Sequence, residues 1–470
     1  MQYSAEIENT DGNSGSFRRT LTISGLTAVA IGSCIGSGIF RTPSTIAGHL
    51  MQPGLIMLVW ILGSVIGLAG ALTYAELGSR FPGVGGMYVY LRRAYGDLVA
   101  FLFGWCTLTI VTSGAIAALG LVFAEFLSQV IPMGQQTKLA VSSLAIIFLS
   151  AINIRGVDWS QFVAKWLTGL KLLGIGLIIL AGLAVARNFS GATPASPSWT
   201  TAVNLEVGLP SAFALALVGV FWSFGGWHHA SYLAGETINP RRNVPRAMIT
   251  GVSVVAITYL LANLAYLYLL PMDQLAASDQ PAADAMSALF SWGADGVAVL
   301  VALSVFGTIA INTLTAPRIY FQMASDKVFF PQLARIHPNW RTPVTAIAFQ
   351  STWALVLLFF FQTFADLITY VVFVDVIFHV LTCVSVFIFR RREKLGLPNS
   401  KGHEEKDGYR TIGFPLVPAF YVLSLIVFLV LTLTAAPPWT TFSGLGLLAI
   451  GCLVYWLFNR RRNLDQSGPE

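Results

Sequence analysis

The sequence predicts an all-α polytopic membrane protein with twelve transmembrane helices, and three observations carry that expectation. Of 470 residues, 55% are hydrophobic and 11% charged, with a mean hydropathy of +0.69; a soluble globular protein has about 25% charged residues. The apolar runs reach the roughly 20 residues that a bilayer-spanning helix needs and follow one another almost without gaps. The basic residues gather in alternate loops. No segment between the runs is long enough for a soluble domain.

The twelve runs lie at approximately 21–48, 54–78, 97–129, 138–154, 162–187, 208–235, 247–271, 295–323, 343–362, 365–389, 413–435 and 440–458. Residues 1–20 are polar and lack the basic start, apolar run and small-residue site of a signal peptide, so they read as a flexible cytoplasmic tail. Residues 459–470 read as a second tail. With the N-terminus inside, 24 of the 28 Lys and Arg fall on the cytoplasmic side. Lys138 and Arg187 fall outside, and Arg41 and Lys171 lie within runs. This asymmetry predicts two cytoplasmic termini. It also removes nucleic acid as a partner, because the net charge of +6 is spread over loops as a topology signal. Cys34, Cys106, Cys383 and Cys452 have neither metal-ligand spacing nor a disulfide pattern, and read as small buried hydrophobes.

The first run contains GSCIGSGIF, Gly32 to Phe40, a stretch rich in poor helix formers. Gly32 and Gly36 fit a small-residue packing motif. The sixth run has a second weak point, Gly225-Gly226, flanked by aromatics. If runs 1–5 (21–187) and 6–10 (208–389) are repeats of opposite topology, with 413–458 outside them, the two weak points correspond. Paired interruptions of this kind mark a transporter's substrate site. Unwound backbone in a membrane must face protein, water or ligand. Half-helix N-termini suit a carboxylate and freed carbonyls suit an ammonium, so together they would clamp an amino acid.

An ionisable residue inside a membrane run is a functional hypothesis by default. Lys171 either snorkels to an edge or serves the site. Asp375 and His379, four residues apart, share one helical face and read either as a structural pair or as a substrate-side, proton-sensitive pair. His228 and His229 follow the second weak point without an assigned role, being too few for a metal site. Glu76 and Glu236 are expected to pair with loop arginines.

Four stretches resemble the amino acid–polyamine–organocation (APC) superfamily. They are GSCIGSGIF with the following RTP, Tyr74 to Trp105, SFGGW with GETINPRRNVPRAM, and Thr315 to Ile347. The branch they resemble comprises bacterial relatives of the L-type amino acid transporters. The resemblance implies a LeuT-like fold, a 5+5 inverted repeat plus two peripheral helices. It implies that Gly36, Ser37 and Gly38 offer N–H groups to a substrate carboxylate, and that carbonyls near Ile31, Trp222 and Gly225 take its amino group. Trp222 would be the aromatic gate, usually Phe. Lys171 would replace a bound sodium ion against the first-helix break, with Thr308 and Asn312 beside that break. Asp375 would face the substrate path. The cysteine that joins animal members to a heavy chain is missing from SQVIPMGQQT, so no disulfide-linked heavy chain is expected.

The function these readings predict is sodium-independent secondary transport of neutral amino acids across the inner membrane, by exchange or proton coupling, without a cofactor. A cationic amino acid, amine or polyamine, or binding without transport, are the alternatives. A channel lacks its ring of charges or carbonyl filter. An enzyme lacks H-E-x-x-H and G-x-S-x-G, and a pump lacks a P-loop.

Overall fold

The computed structural model describes residues 17–187, 199, 208–360, 364–397, 408–435 and 438–466. Each of the twelve apolar runs is helical. Among the described residues, eight segments are long and apolar enough to cross a membrane: Ile23–Leu50, Pro53–Arg80, Asp97–Val130, Gln135–Ile154, Val157–Ala186, Leu209–Glu236, Pro240–Leu269 and Gly293–Ser325. Four more helices follow, Val344–Phe360, Phe364–Lys394, Leu416–Ala435 and Pro438–Gln466. These twelve are called the first to the twelfth segments below. Among the described residues the only pairing outside helices is one bridge, Leu21 to Thr237. This is an all-helical, polytopic membrane protein.

Local chemistry sets the helix ends. Thr22 caps the first segment by accepting the Gly25 N–H at 3.3 Å. Pro53 and Pro240 stand in the first turns of the second and seventh segments, where a missing N–H costs nothing. The fifth segment shows how the bundle sorts its faces. Leu173, Leu177 and Leu180 are 62%, 54% and 63% exposed, as a lipid-facing stripe requires, while Lys171 on the same helix is 1% exposed. Lys171 therefore points into the bundle and does not snorkel.

The first and sixth segments are broken where their glycines predict. Helix Ile23–Cys34 stops, and a second helix, Gly38–Leu50, starts after three residues. Helix Leu209–Phe224 stops at Gly225, and a 3₁₀ stretch, Trp227–Glu236, continues the segment. Gly226 has φ 104°, a conformation that favours glycine, and a Cβ there would stand 2.8 Å from the Ser33 carbonyl oxygen. The third segment carries a π-turn, Thr107–Val111, that the sequence did not announce.

Two expectations are corrected. The tail called flexible over 1–20 is docked from residue 17 onward. Phe17 packs edge-on against Phe321 with centroids 4.8 Å apart, and Leu21 exchanges backbone hydrogen bonds with Glu236 and Ile238; residues 1–16 lie outside the described set. The last helix runs on to Gln466. Cys452 is exposed, unlike the buried Cys34, Cys106 and Cys383, because it lies on a peripheral helix.

The end of the bundle that holds Phe17 is closed by buried ion pairs. Arg318 and Glu236, both fully buried, form a two-pronged pair at 2.7 and 3.0 Å. Glu76 accepts from Arg80 at 3.0 Å, from Arg390 at 3.0 and 2.7 Å and from the Thr411 N–H at 2.8 Å. The expected arginine partners of Glu236 and Glu76 are therefore present.

Candidate substrate site between the two breaks

The two breaks lie against each other. The Ser33 hydroxyl is 2.7 Å from the Gly226 carbonyl. The Tyr259 hydroxyl, from the seventh segment, stands 3.0 Å from the carbonyls of both Cys34 and Ser223, so its one proton is shared across the pair. A cavity of about 180 Å³ opens beside them. Its walls include Gly36, Ser37, Gly38, Trp222, Gly225, Thr308, Asn312, Asp375 and His379.

The first break separates donors from acceptors. Its freed carbonyls point toward Lys171, whose ammonium donates to Gly32 O at 2.8 Å, Ile35 O at 2.7 Å and Thr308 Oγ1 at 2.8 Å. An ammonium has three donors, and all three are used. Thr308 also lies 3.1 and 3.2 Å from the same two carbonyls, and Ser304 reaches the Ile35 and Gly36 carbonyls at 3.2 Å. Gly32 packs tightly here, since a Cβ would meet Thr168 Oγ1 at 2.3 Å, whereas one on Gly36 would find its nearest neighbour at 3.7 Å. The packing reading thus fits Gly32, and the cavity reading fits Gly36.

The donors face the other way. Ser37 and Gly38 open the helix Gly38–Leu50, where the first N–H groups have no intrahelical partner. Among the described residues no backbone acceptor takes them, and both residues line the cavity. Two other backbone groups of the first break are already engaged. The Gly36 N–H donates to Cys34 O at 2.9 Å, so it is already engaged. Ile31 is absent from the cavity wall, and its carbonyl takes the Ile35 N–H at 2.9 Å as the last turn of helix closes. The Trp222 carbonyl receives the Gly225 N–H at 3.3 Å, and Gly225 itself is exposed. Asn312 lines the wall one turn beyond Thr308 and accepts at its backbone carbonyl from Gln350 at 3.2 Å.

On the far wall, His379 Nε2 is 3.4 Å from Asp375 Oδ2, and its Nδ1 is 2.7 Å from the Tyr74 hydroxyl. His228 packs edge-on against His379 with centroids 4.6 Å apart. His229 bonds Thr315 Oγ1 at 2.8 Å. Among the described residues no group of three or more His, Cys, Asp or Glu is arranged to hold a metal. Sequence reasoning missed Ser304, Tyr259 and Tyr74, which carry no charge in long apolar runs. The glycine-rich weak points of the first and sixth segments were the signal for everything around them.

A family model described as amino acid permease matches residues 21–458. A serine/threonine exchanger of Bacillus subtilis is 31% identical over 92% of this chain and 95% of its own length. The large neutral amino acids transporter small subunit 2 of rat is 28% identical over 97% of this chain and 83% of its own. The human b(0,+)-type amino acid transporter 1 is 27% identical over 96% of this chain and 90% of its own. The chain belongs to the amino acid permease family of the APC superfamily, and it is an amino-acid transporter and not an enzyme.

Proposed function

We propose that the protein is a sodium-independent secondary transporter of neutral amino acids, working by alternating access between the two broken segments. The observation that carries this reading is Lys171. Its ammonium sits 2.7 to 2.8 Å from two carbonyls of the first break and from Thr308, holding as a fixed charge the oxygen ligands that would otherwise suit a hard monovalent cation. The open N–H groups of Ser37 and Gly38 supply the carboxylate end of the clamp. The amino group goes to the carbonyl side of the sixth break, near Trp222 and Gly225, with Trp222 as the gate. Neutral substrates fit the names of the serine/threonine exchanger and the large neutral amino acids transporter, and exchange fits the first of these.

In this reading all twelve helical segments cross the membrane, with segments 1–5 and 6–10 forming a LeuT-like inverted repeat and the last two peripheral. Both termini are cytoplasmic, the membrane is the inner membrane, and no disulfide-linked heavy chain is needed. A second reading, a cationic amino acid or amine as substrate, is favoured by one observation: Asp375, on the cavity wall, has a side chain 29% exposed.

The test is counterflow in proteoliposomes. Labelled neutral amino acids should enter vesicles preloaded with the same amino acids at equal rates in sodium and in choline buffer. Entry of lysine or putrescine with exclusion of neutral amino acids would replace the main reading with the second.

A further inference from the structure

We infer that the Tyr74–His379–Asp375 group is a proton-binding site and that the proton it holds drives uptake. This inference rests on the proposed transport function and names its coupling ion.

The argument starts from His379, whose two ring nitrogens both have partners inside the bundle. Nε2 lies 3.4 Å from the Asp375 carboxylate and Nδ1 lies 2.7 Å from the Tyr74 hydroxyl. In a neutral imidazole one nitrogen donates and the other accepts. With the ring hydrogen on Nε2, toward the carboxylate, Nδ1 is the nitrogen that accepts the Tyr74 proton. A proton arriving at Nδ1 turns that nitrogen into a donor, and Tyr74 must then give its own hydrogen elsewhere. The structure supplies the place: Met87 Sδ lies 3.8 Å from the same hydroxyl. That sulfur also receives the Tyr232 hydroxyl at 3.3 Å, and a thioether has lone pairs for both. The group can therefore hold His379 neutral or charged without orphaning a buried donor, and the carboxylate sits where it stabilises the imidazolium. A purely structural histidine needs only one of these states.

The surroundings make the charge consequential. His228 and His229 on the sixth segment also line this cavity, with His228 Nδ1 buried and without a partner among the described residues. Like charges this close disfavour one another, so the cluster admits one proton more readily than two. Cys34 on the first segment, Tyr232 on the sixth and Tyr421 on the eleventh complete the titratable side chains lining the cavity, and the third segment presents Phe103, Thr107 and Thr112, none of them titratable. Cys383 is one turn further along the tenth segment. Glu76, on the helix of Tyr74, is already engaged by Arg80 and Arg390. His379 and Asp375 share their cavity with Ser37, Gly38 and Gly225. Proton and substrate thus enter one compartment, and the proton reverses the direction of the bond that joins the second segment to the tenth.

The experiment measures uptake of a labelled neutral amino acid mixture into empty proteoliposomes, with and without an acidic exterior, and takes the ratio of the two rates. Wild type should give a ratio of about five or more, and H379Q and D375N a ratio near one. H337Q, in a loop outside the cavity, should keep the wild-type ratio. A wild-type ratio near one, or an H379Q ratio equal to wild type, overturns the inference. If counterflow also fails in every buffer, the transport reading has failed instead. The proton site is then decided by NMR of histidine-labelled protein, using H379Q to assign the ring. A His379 ring that changes protonation between about pH 5 and 8 supports the site, and one fixed in a single state across that range overturns it.

Discussion

Two regions beside the central cavity handle charge in opposite ways. Behind the first break, off the cavity wall, Lys171 has its three donors matched to three oxygens at 2.7 to 2.8 Å. In the other, His379 stands between a carboxylate and a hydroxyl that can give or take a hydrogen, and His228 keeps a buried nitrogen unpaired among the described residues. The first region is saturated and so has one stable state. The second has spare capacity and so has two. A fixed cation beside the first-helix break organises backbone that lipid cannot satisfy, while an adjustable group opposite it can respond to what enters.

The largest effect should come from emptying the saturated region. Lys171→Met leaves the Gly32 and Ile35 carbonyls without their charged donor, and an orphaned buried polar group costs about 1–3 kcal/mol. At about tenfold per 1.4 kcal/mol, two such carbonyls predict a fall in counterflow of about 30-fold or more. A thermal melt of the purified variant should show a lower midpoint. Retained transport would make Lys171 a bystander.

Gly226→Ala comes next. Its backbone sits at φ 104° and the new Cβ would stand 2.8 Å from the Ser33 carbonyl, so one break must move away from the other. Strain of this kind costs of order 1–3 kcal/mol. Counterflow should drop roughly 10- to 100-fold. The same substitution at Gly176, which has open space around it, should change little.

Tyr259→Phe removes the one hydroxyl that both breaks share. A net hydrogen bond is worth about 0.5–1.5 kcal/mol, so a loss of roughly three- to tenfold in counterflow is expected. Trp222→Phe should be milder, changing KM by a few-fold through the width of the gate while leaving thermal stability unaltered. A change confined to stability would remove Trp222 from the site.

Much of this arrangement was legible in the sequence because poor helix formers inside a membrane run need a reason. Gly36 to Gly38 and Gly225-Gly226 announced both breaks, and Lys171, a charge in an apolar run, announced its own importance. Asp375 and His379 were legible as a pair from their spacing alone. What stayed hidden depends on the third dimension. Tyr259, Ser304 and Tyr74 look like ordinary polar residues in long helices until their carbonyl and imidazole partners, far away in sequence, are brought beside them. The engaged Gly36 N–H and the closed Ile31 carbonyl depend on how many residues the break unwinds, which glycine content does not specify. The docking of Phe17 depends on Phe321 and Arg318, both some 300 residues away in a folded surface that composition cannot describe.

The central claim is that the Lys171 ammonium fills the role of a sodium ion at the first break. It is tested most directly by counterflow of labelled neutral amino acids by wild type and K171M, each in sodium and in choline buffer. The account predicts equal wild-type rates in both buffers and a K171M rate far below them. Wild-type transport that requires sodium, or K171M transport at the wild-type rate in choline, would contradict it.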